Sequence, residues 1–165
     1  MAFHGGNDKA NRIRRRMGWA DLCEQEGFAM VYPTVINRGW NDGRENSVRY
    51  DRGEAPDDVV FFDAPLDHLI DTSVAYPKRV FVTGPSNGVM MTYCLMCDRA
   101  ERIMGAAPLI ANMSEALYPV CAPSGPVPIM IINGTEDALI PWGGGLVADN
   151  EERGRVMSTV ASVLF

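Results

Sequence analysis

Histidine, cysteine and positive charge are all scarce in this chain. Its 165 residues include 2 histidines and 4 cysteines, and 15 Lys and Arg stand against 21 Asp and Glu, giving a net charge of -6. This acidic balance argues against nucleic-acid binding, which needs a basic surface. Four cysteines are too few for a disulfide scaffold, so burial of apolar side chains must stabilise the fold.

Long apolar runs are missing as well. No run approaches the roughly 20 residues that a membrane-spanning helix needs, so we expect no membrane partner. The chain opens on Met1-Ala2-Phe3 without a charged leader or an apolar signal core. A hydrophobic share of 47% is too high for a disordered chain. With no internal repeat or long linker, residues 1–165 are predicted to form a single domain.

Short apolar runs alternate with segments of helical periodicity. Runs bounded by turn residues predict buried strands at 28–32, 79–83, 103–110 and 127–132. Apolar residues at helical spacing predict helices over 12–26, 57–74 and 86–99. Asp57 or Asp58 is the expected N-cap of the second helix, and Pro65 should kink this helix or delay its start to about Asp63. The order of these elements predicts an α/β fold with a mostly parallel sheet.

The strongest functional motif is Gly84-Pro85-Ser86-Asn87-Gly88. It follows a predicted strand and precedes a predicted helix, which is the context of the G-x-S-x-G nucleophile elbow. Glycine at both flanking positions removes side chains that would collide where strand and helix converge. Ser86 is therefore the candidate nucleophile, and the Asn87 N–H at the helix N-terminus is a candidate oxyanion donor. A purely structural turn is the alternative interpretation.

A serine nucleophile needs a general base and a carboxylate that orients the base. Asp137 follows the strand at 127–132, so it is expected at the same edge of the sheet as Ser86. We take Asp137 as the candidate catalytic acid and Glu136 as the less favoured one. The alternative role for Asp137 is to cap its own turn.

The general base is what the sequence lacks. In this fold the histidine comes last in the triad, but no histidine follows Asp137. His68 is expected on the solvated face of its helix. His4 precedes Gly5-Gly6, where a strand should pass into a loop, and we assign Gly5 and Gly6 to the second oxyanion donor with His4 as a structural organiser.

Further segments occur in order along nearly the whole chain. They are His4-Gly5-Gly6, Glu26-Gly27-Phe28, Val31-Tyr32-Pro33, Trp40-Asn41-Asp42-Gly43, Asp57-Asp58-Val59, the stretch from Arg79 through Ser86-Asn87-Gly88 to Met90-Met91, Pro126-Val127-Pro128, Gly134-Thr135, Asp137, Pro141-Trp142-Gly143-Gly144-Gly145 and Arg153-Gly154-Arg155. In these segments the chain resembles the polyhydroxybutyrate depolymerase and feruloyl-esterase-like group of α/β-hydrolases.

This resemblance implies a three-layer α/β-hydrolase sandwich with a mostly parallel central sheet. It also implies a secreted, extracellular serine esterase that needs no cofactor and no metal. The partner would be a small-molecule or polymeric ester, from hydroxyalkanoate polyesters or acylated plant polysaccharides. Trp40 and Trp142 could stack on a sugar or phenolic ring of such a substrate, or they could anchor their loops.

Two departures from the group concern the ends of the chain. Members place strands before the His4 loop and the catalytic histidine after the segment at 153–155. We therefore expect residues 1–165 to be a truncated, incomplete catalytic domain whose histidine lies beyond Phe165, and we expect feeble ester hydrolysis from it. A further departure is Asn133, where the group often has histidine.

The cysteine pattern does not favour a chemistry other than ester hydrolysis. Cys94 and Cys97 form a C-x-x-C inside a helix rather than at its N-terminus, which does not favour redox or zinc chemistry. In an exported protein Cys97 and Cys121 are candidates for a disulfide. A non-catalytic binding fragment of the same fold and a serine peptidase on it remain alternatives, and the sequence does not indicate an oligomeric state.

Overall fold

The computed structural model describes residues 1–36, 39–44 and 55–165. The helices are α1 (Ala10–Met17), α2 (Trp19–Glu26), α3 (Asp58–Asp71) and α4 (Asn87–Asp98). The strands are β1 (Phe81–Pro85), β2 (Gly105–Leu109), β3 (Gly145–Leu146) and β4 (Arg155–Val156). Short 3-10 turns lie at Ala100–Arg102, Tyr118–Val120, Val147–Asp149, Glu151–Arg153 and Ala161–Val163.

The central sheet is parallel. β1 pairs with β2 from Phe81↔Gly105 to Pro85↔Leu109. Single parallel bridges extend it, from Ala2 to Thr83 on one side of the sheet and from Ala106 to Ile129 and from Leu109 to Ile132 on the other. β3 and β4 form a separate antiparallel pair. Parallel strands separated by helices confirm the predicted α/β class.

The outer segments of the sheet differ from the sequence prediction. Residues 127–132 lie beside β2 but form isolated bridges rather than a continuous strand. Residues 28–32 are not a strand, although the Val31 carbonyl accepts a hydrogen bond of 2.8 Å from the Ala2 N–H. One hydrogen bond to a short neighbouring segment does not make a ladder, so the prediction of a strand at 28–32 is wrong.

The core lies between α4 and the sheet. α4 packs against β1 and β2, and α3 packs on α4. Eleven of the twelve residues of α4 are buried, among them Tyr93 and Leu95. Phe62 and Leu66 bring α3 onto this core. Asp63 of α3 also accepts hydrogen bonds from Arg99 at 2.9 Å and from Arg102 at 2.5 Å, which holds α3 across the end of α4.

The helices follow the predicted periodicity but not all the predicted bounds. The expected helix over 12–26 is two helices, because Gly18 has φ 63° and its left-handed conformation interrupts the helical hydrogen bonding. α3 begins at Asp58, and the Asp57 side chain caps it by accepting a hydrogen bond of 2.9 Å from the Val60 N–H. Pro65 lies inside α3 and does not delay its start to Asp63.

A disulfide joins Cys97 to Cys121. It ties the last turn of α4 to the residue after the 3-10 turn at Tyr118–Val120, with the two Cα atoms 5.0 Å apart. Among the described residues, no helix combines the length and the hydropathy needed to cross a bilayer.

Candidate active site

Ser86 occupies a sharp turn between β1 and α4. It is the N-cap of α4 with φ 54° and ψ -122°, a conformation that costs a non-glycine residue about 1–3 kcal/mol. The turn is held from both sides, because the Ser86 N–H donates to the Leu109 carbonyl at 3.1 Å and the Val89 N–H donates to the Ser86 carbonyl at 2.8 Å. The local geometry is the strand–turn–helix that the motif predicts.

The glycines that flank Ser86 make room for a neighbouring backbone. A Cβ atom at Gly84 would lie 2.3 Å from the Phe3 carbonyl oxygen, and one at Gly88 would lie 2.1 Å from the same atom. The glycine pattern alone predicts a collision between the strand and the helix. The structure shows that the main obstacle is instead the segment that leads into the His4 loop, which passes directly over the elbow.

The loop at His4-Gly5-Gly6 runs alongside Ser86 and Asn87. A Cβ atom at Gly5 would lie 3.6 Å from Ser86 Cβ, and one at Gly6 would lie 3.7 Å from Asn87 Cβ. Within the described residues, no acceptor takes a hydrogen bond from the backbone N–H of Asn87, Gly5 or Gly6. Three backbone N–H groups without an acceptor among the described residues therefore belong to the turn at Ser86 and to the loop beside it.

Trp40 is an anchor of this loop. Its side chain has no exposed surface, and its Nε1–H donates to the His4 carbonyl at 2.8 Å. Its ring also contacts Phe3 edge-on and His4 at a tilt, each at a centroid distance of 5.1 Å. Because a fully buried ring cannot stack on a substrate, Trp40 anchors its loop and does not fill the substrate-binding role that the resemblance offers.

His4 is buried and acts on its own loop. Its Nδ1 lies 2.8 Å from the Gly5 carbonyl oxygen, and because a carbonyl can only accept, Nδ1 carries the proton. The other ring nitrogen, Nε2, has no hydrogen-bond partner in the described part of the chain. His68 lies exposed on α3. Neither histidine forms a hydrogen bond with Ser86 within the described residues.

The Asn87 side chain is held by a polar network that the sequence analysis did not identify. Its Oδ1 accepts from the Trp40 N–H at 2.7 Å, and its Nδ2 donates to the Trp40 carbonyl at 3.2 Å and to the Asp42 carboxylate. Asp42 is fully buried and forms an ion pair with Arg44 at 2.7 Å. The sequence signal for this network is the charged residue Asp42 inside Trp40-Asn41-Asp42-Gly43. Its burial depends on contacts with residues distant in the chain, which the sequence does not report.

Asp137 lies in a loop that begins at the same end of the sheet as Ser86. The segment before it reaches Ile132, which bridges Leu109, and the Leu109 carbonyl accepts the Ser86 N–H. Asp137 Oδ1 accepts from the backbone N–H groups of Leu139 at 2.7 Å and Ile140 at 3.0 Å. The carboxylate thus caps its own turn. Its Oδ2 accepts no hydrogen bond from the described residues.

Asn133 secures the base of the Asp137 loop. Its Nδ2 donates to Asn112 Oδ1 at 2.6 Å and to Thr159 Oγ1 at 3.1 Å. Thr159 also donates from its backbone N–H to the Trp142 carbonyl at 2.9 Å. Trp142 is 39% exposed, so its ring remains available to a ligand. Glu136 is exposed in the same loop.

Two cysteine-based alternatives lose support. Burial, assisted by the negative charge of Asp42, raises the pKa of the Cys94 thiol, so its reactive thiolate is disfavoured. Cys97 is bonded to Cys121 rather than to Cys94. Within the described ranges, no group of three or more His, Cys, Asp or Glu side chains is arranged to hold a metal ion.

Comparisons with curated proteins return esterases. The chain is 28% identical over 145 residues to the putative esterase NocK of Nocardia uniformis subsp. tsuyamanensis. It is 26% identical over 142 residues to the bifunctional acetylxylan esterase/xylanase XynS20E of Neocallimastix patriciarum, and 30% identical over 92 residues to feruloyl esterase B of Piromyces equi. All three of these proteins are named as esterases. No protein-family model matches the chain.

The alignments cover most of this chain but less than half of each relative. They span 87%, 86% and 54% of this chain and 41%, 19% and 17% of these three proteins, respectively. Among solved structures, an acetyl xylan esterase from Aspergillus awamori matches with a TM-score of 0.57 and 22% identity, over 75% of this chain and 45% of that chain. The likeness to this solved structure concerns the fold, which the chain shares with it.

Proposed function

We propose that this protein is a serine carboxylic-ester hydrolase in which Ser86 is the nucleophile. The observation that carries the proposal is the geometry at Ser86. The side chain stands on a turn with φ 54° at the start of α4, beside three backbone N–H groups that donate to no acceptor among the described residues. A strained serine beside uncommitted amide donors suits acyl transfer, because the developing oxyanion needs such donors. The esterase names of the curated relatives support the same activity.

The proposed reaction proceeds through an acyl-enzyme. Ser86 Oγ attacks the ester carbonyl carbon, and its proton passes to a general base. The Asn87 N–H and an N–H of Gly5 or Gly6 stabilise the oxyanion. The bond to the leaving alcohol then breaks, and the base returns the proton to that alcohol. Water attacks the acyl-enzyme in the same way and releases the acid. Asp137 orients this base.

The proposed substrates are esters of acylated polysaccharides or of polyesters. The printed names of the relatives favour acetyl and feruloyl esters of plant polysaccharides, and a polyhydroxybutyrate depolymerase type follows from the sequence resemblance alone. Trp142, partly exposed beside the Asp137 loop, is the side chain that we propose to contact a sugar or phenolic ring. An extracellular location agrees with the Cys97–Cys121 disulfide.

Active-site labelling tests the nucleophile. A fluorophosphonate reacts with an activated serine through its hydroxyl, and tandem mass spectrometry locates the adduct. We expect the fastest adduct on the peptide that contains Ser86, because oxyanion donors accelerate the attack even without the general base, and no adduct on that peptide in Ser86→Ala. Ser124→Ala is the matched control, since Ser124 is an exposed serine bonded to Glu101, and it should label like the wild type. Labelling that persists in Ser86→Ala would contradict the proposal.

A non-catalytic binding role is the second candidate. It is favoured by one observation: neither His4 nor His68 forms a hydrogen bond with Ser86 in the described part of the chain. A site without its proton acceptor loses several orders of magnitude in rate. If the chain binds an acetylated xylo-oligosaccharide while Ser86 reacts with the fluorophosphonate no faster than Ser124, binding is the function of this chain.

A further inference from the structure

We propose that Asp42 is a positioning residue of the oxyanion site. Through the Asn87 side chain, Asp42 holds the Asn87 backbone N–H at the place where it can meet the oxyanion. The inference rests on the proposed esterase function and deepens it. Asp42 itself touches no reacting atom in this assignment, so its role differs from that of Ser86.

The Asn87 side chain is fixed in one orientation. The Trp40 N–H, 2.7 Å away, is a donor and must face Oδ1, whereas the Asp42 carboxylate is an acceptor and must face Nδ2. Gly39 closes the remaining side, because a Cβ atom there would lie 2.9 Å from Asn87 Oδ1. A short side chain held at both its amide atoms leaves its own backbone little freedom, and that backbone carries the oxyanion donor.

Asp42 is held in turn by Arg44. Both Nε and a terminal nitrogen of Arg44 donate to the Asp42 carboxylate, at 3.1 Å and 2.7 Å. A second terminal nitrogen donates to the Arg153 carbonyl at 2.6 Å, near β4. The Arg44 charge neutralises Asp42, which would otherwise oppose a developing oxyanion close by. A continuous chain of polar contacts therefore runs from Arg153 to the start of α4.

The buried ion pair fits positioning better than stability. Taking a carboxylate and a guanidinium out of water is costly, and apolar replacements of such pairs are often as stable or more stable. The side chains of Asp42 and Arg44 are 0% and 8% exposed, so most of that cost applies. What the pair supplies is a fixed direction for the Asn87 amide. An oxyanion donor acts within about 2.7–3.1 Å of the oxygen, so small displacements lower the rate.

The test is the rate at which a fluorophosphonate labels Ser86 in the full chain. Asp42→Asn removes the charge, and Asn87→Ala removes the side chain but keeps the backbone N–H. We expect each to lower the maximal labelling rate by about tenfold or more, with the half-saturating reagent concentration changed by less than about twofold. The double variant should lose no more than either single variant, because both changes break one chain of contacts.

Asp63→Asn is the matched control. Asp63 is also ion-paired with arginine, but it joins α3 to the end of α4, away from Ser86. This variant should label at the wild-type rate even if its melting temperature falls. Wild-type labelling rates in folded Asp42→Asn or Asn87→Ala would overturn the positioning role and leave the proposed function intact. If Asp42→Asn does not fold, Asn87→Ala decides. A wild-type chain that does not label at Ser86 would overturn both.

Discussion

Gly88 lies where a side chain would meet the backbone of the neighbouring segment. Alanine favours a helix over glycine by about 1 kcal/mol, so an isolated helix would gain from Gly88→Ala. Here the new Cβ would lie 2.1 Å from the Phe3 carbonyl oxygen, and such overpacking costs about 1–3 kcal/mol or more. We expect the collision to outweigh the propensity and the free energy of unfolding in urea to fall.

Gly125→Ala provides the comparison for that substitution. A Cβ atom at Gly125 would meet nothing within 4 Å, so this variant should unfold at the wild-type urea concentration within error. Equal stability of Gly88→Ala and Gly125→Ala would mean that the Phe3 segment does not pass over the elbow as described.

Residues within one short motif were predictable, and residues whose role depends on distant contacts were not. The turn at Ser86 follows from a G-x-S-x-G motif between a predicted strand and a predicted helix. The position of Gly5 and Gly6 near this turn follows from a glycine pair directly after a short apolar start. The roles of Trp40 and Asp42 depend on a distant segment, since they contact Asn87 across separations of 47 and 45 residues, respectively. No periodicity in the sequence reports such a contact.

Pro65 is the clearest conflict between sequence and element. It lies at the middle of α3, where it cannot donate the hydrogen bond that the Phe61 carbonyl would accept. Proline costs up to about 3 kcal/mol relative to alanine inside a helix. We expect Pro65→Ala to raise the free energy of unfolding by about 1–3 kcal/mol, measured by thermal and urea denaturation.

Pro56→Ala separates this effect from a general effect of proline. Pro56 precedes α3 and lies outside any helix, so its replacement relieves no helical defect and frees the unfolded chain instead. We expect Pro56→Ala to leave stability unchanged or slightly lowered. A loss of stability in Pro65→Ala would show that the proline ring makes packing contacts that outweigh the helical cost.

Element types were easier to predict than element bounds. The helical periodicity at 12–26 is present, but periodicity alone does not reveal the break at Gly18, which divides the segment into α1 and α2. The apolar run at 28–32 predicts a strand because composition cannot distinguish a strand from an extended segment with one sheet hydrogen bond. Whether such a segment becomes a strand depends on how many backbone hydrogen bonds the neighbouring segment offers it.

The Cys97–Cys121 disulfide stabilises the molecule as a whole. It closes a loop with a sequence separation of 24, for which chain entropy gives about 3.5 kcal/mol. We expect dithiothreitol to lower the melting temperature of the wild type. Cys97→Ser, Cys121→Ser and the reduced wild type should melt at similar temperatures, because each lacks the same cross-link.

Cys23→Ser is the control for the cysteine variants, since Cys23 is a free and half-buried thiol. It should keep the wild-type response to dithiothreitol. A Cys121→Ser variant as stable as the oxidised wild type would contradict the structural role of the disulfide.

One face of the sheet is covered and the other is open across the described residues. α4, with α3 packed on it, covers the first face, whereas a groove of about 600 Å³ separates α2 from the second, bordered by Phe81 at 55% exposure and Met130 at 59%. The three-layer sandwich that the family resemblance implies would cover both faces. The apolar composition of the strands indicates that both faces of the sheet disfavour contact with water, but it does not indicate which helix or loop covers each face.

Detection of the acyl-enzyme tests the central claim, that Ser86 is the nucleophile of an ester hydrolase. The full chain is mixed with p-nitrophenyl acetate, quenched in acid after increasing times, and digested for tandem mass spectrometry. We expect a single acetyl group on Ser86 that forms fastest of all modifications and is absent in Ser86→Ala. Acetyl groups that fall only on lysines or the N-terminus, at equal rates in the wild type and in Ser86→Ala, would contradict the claim.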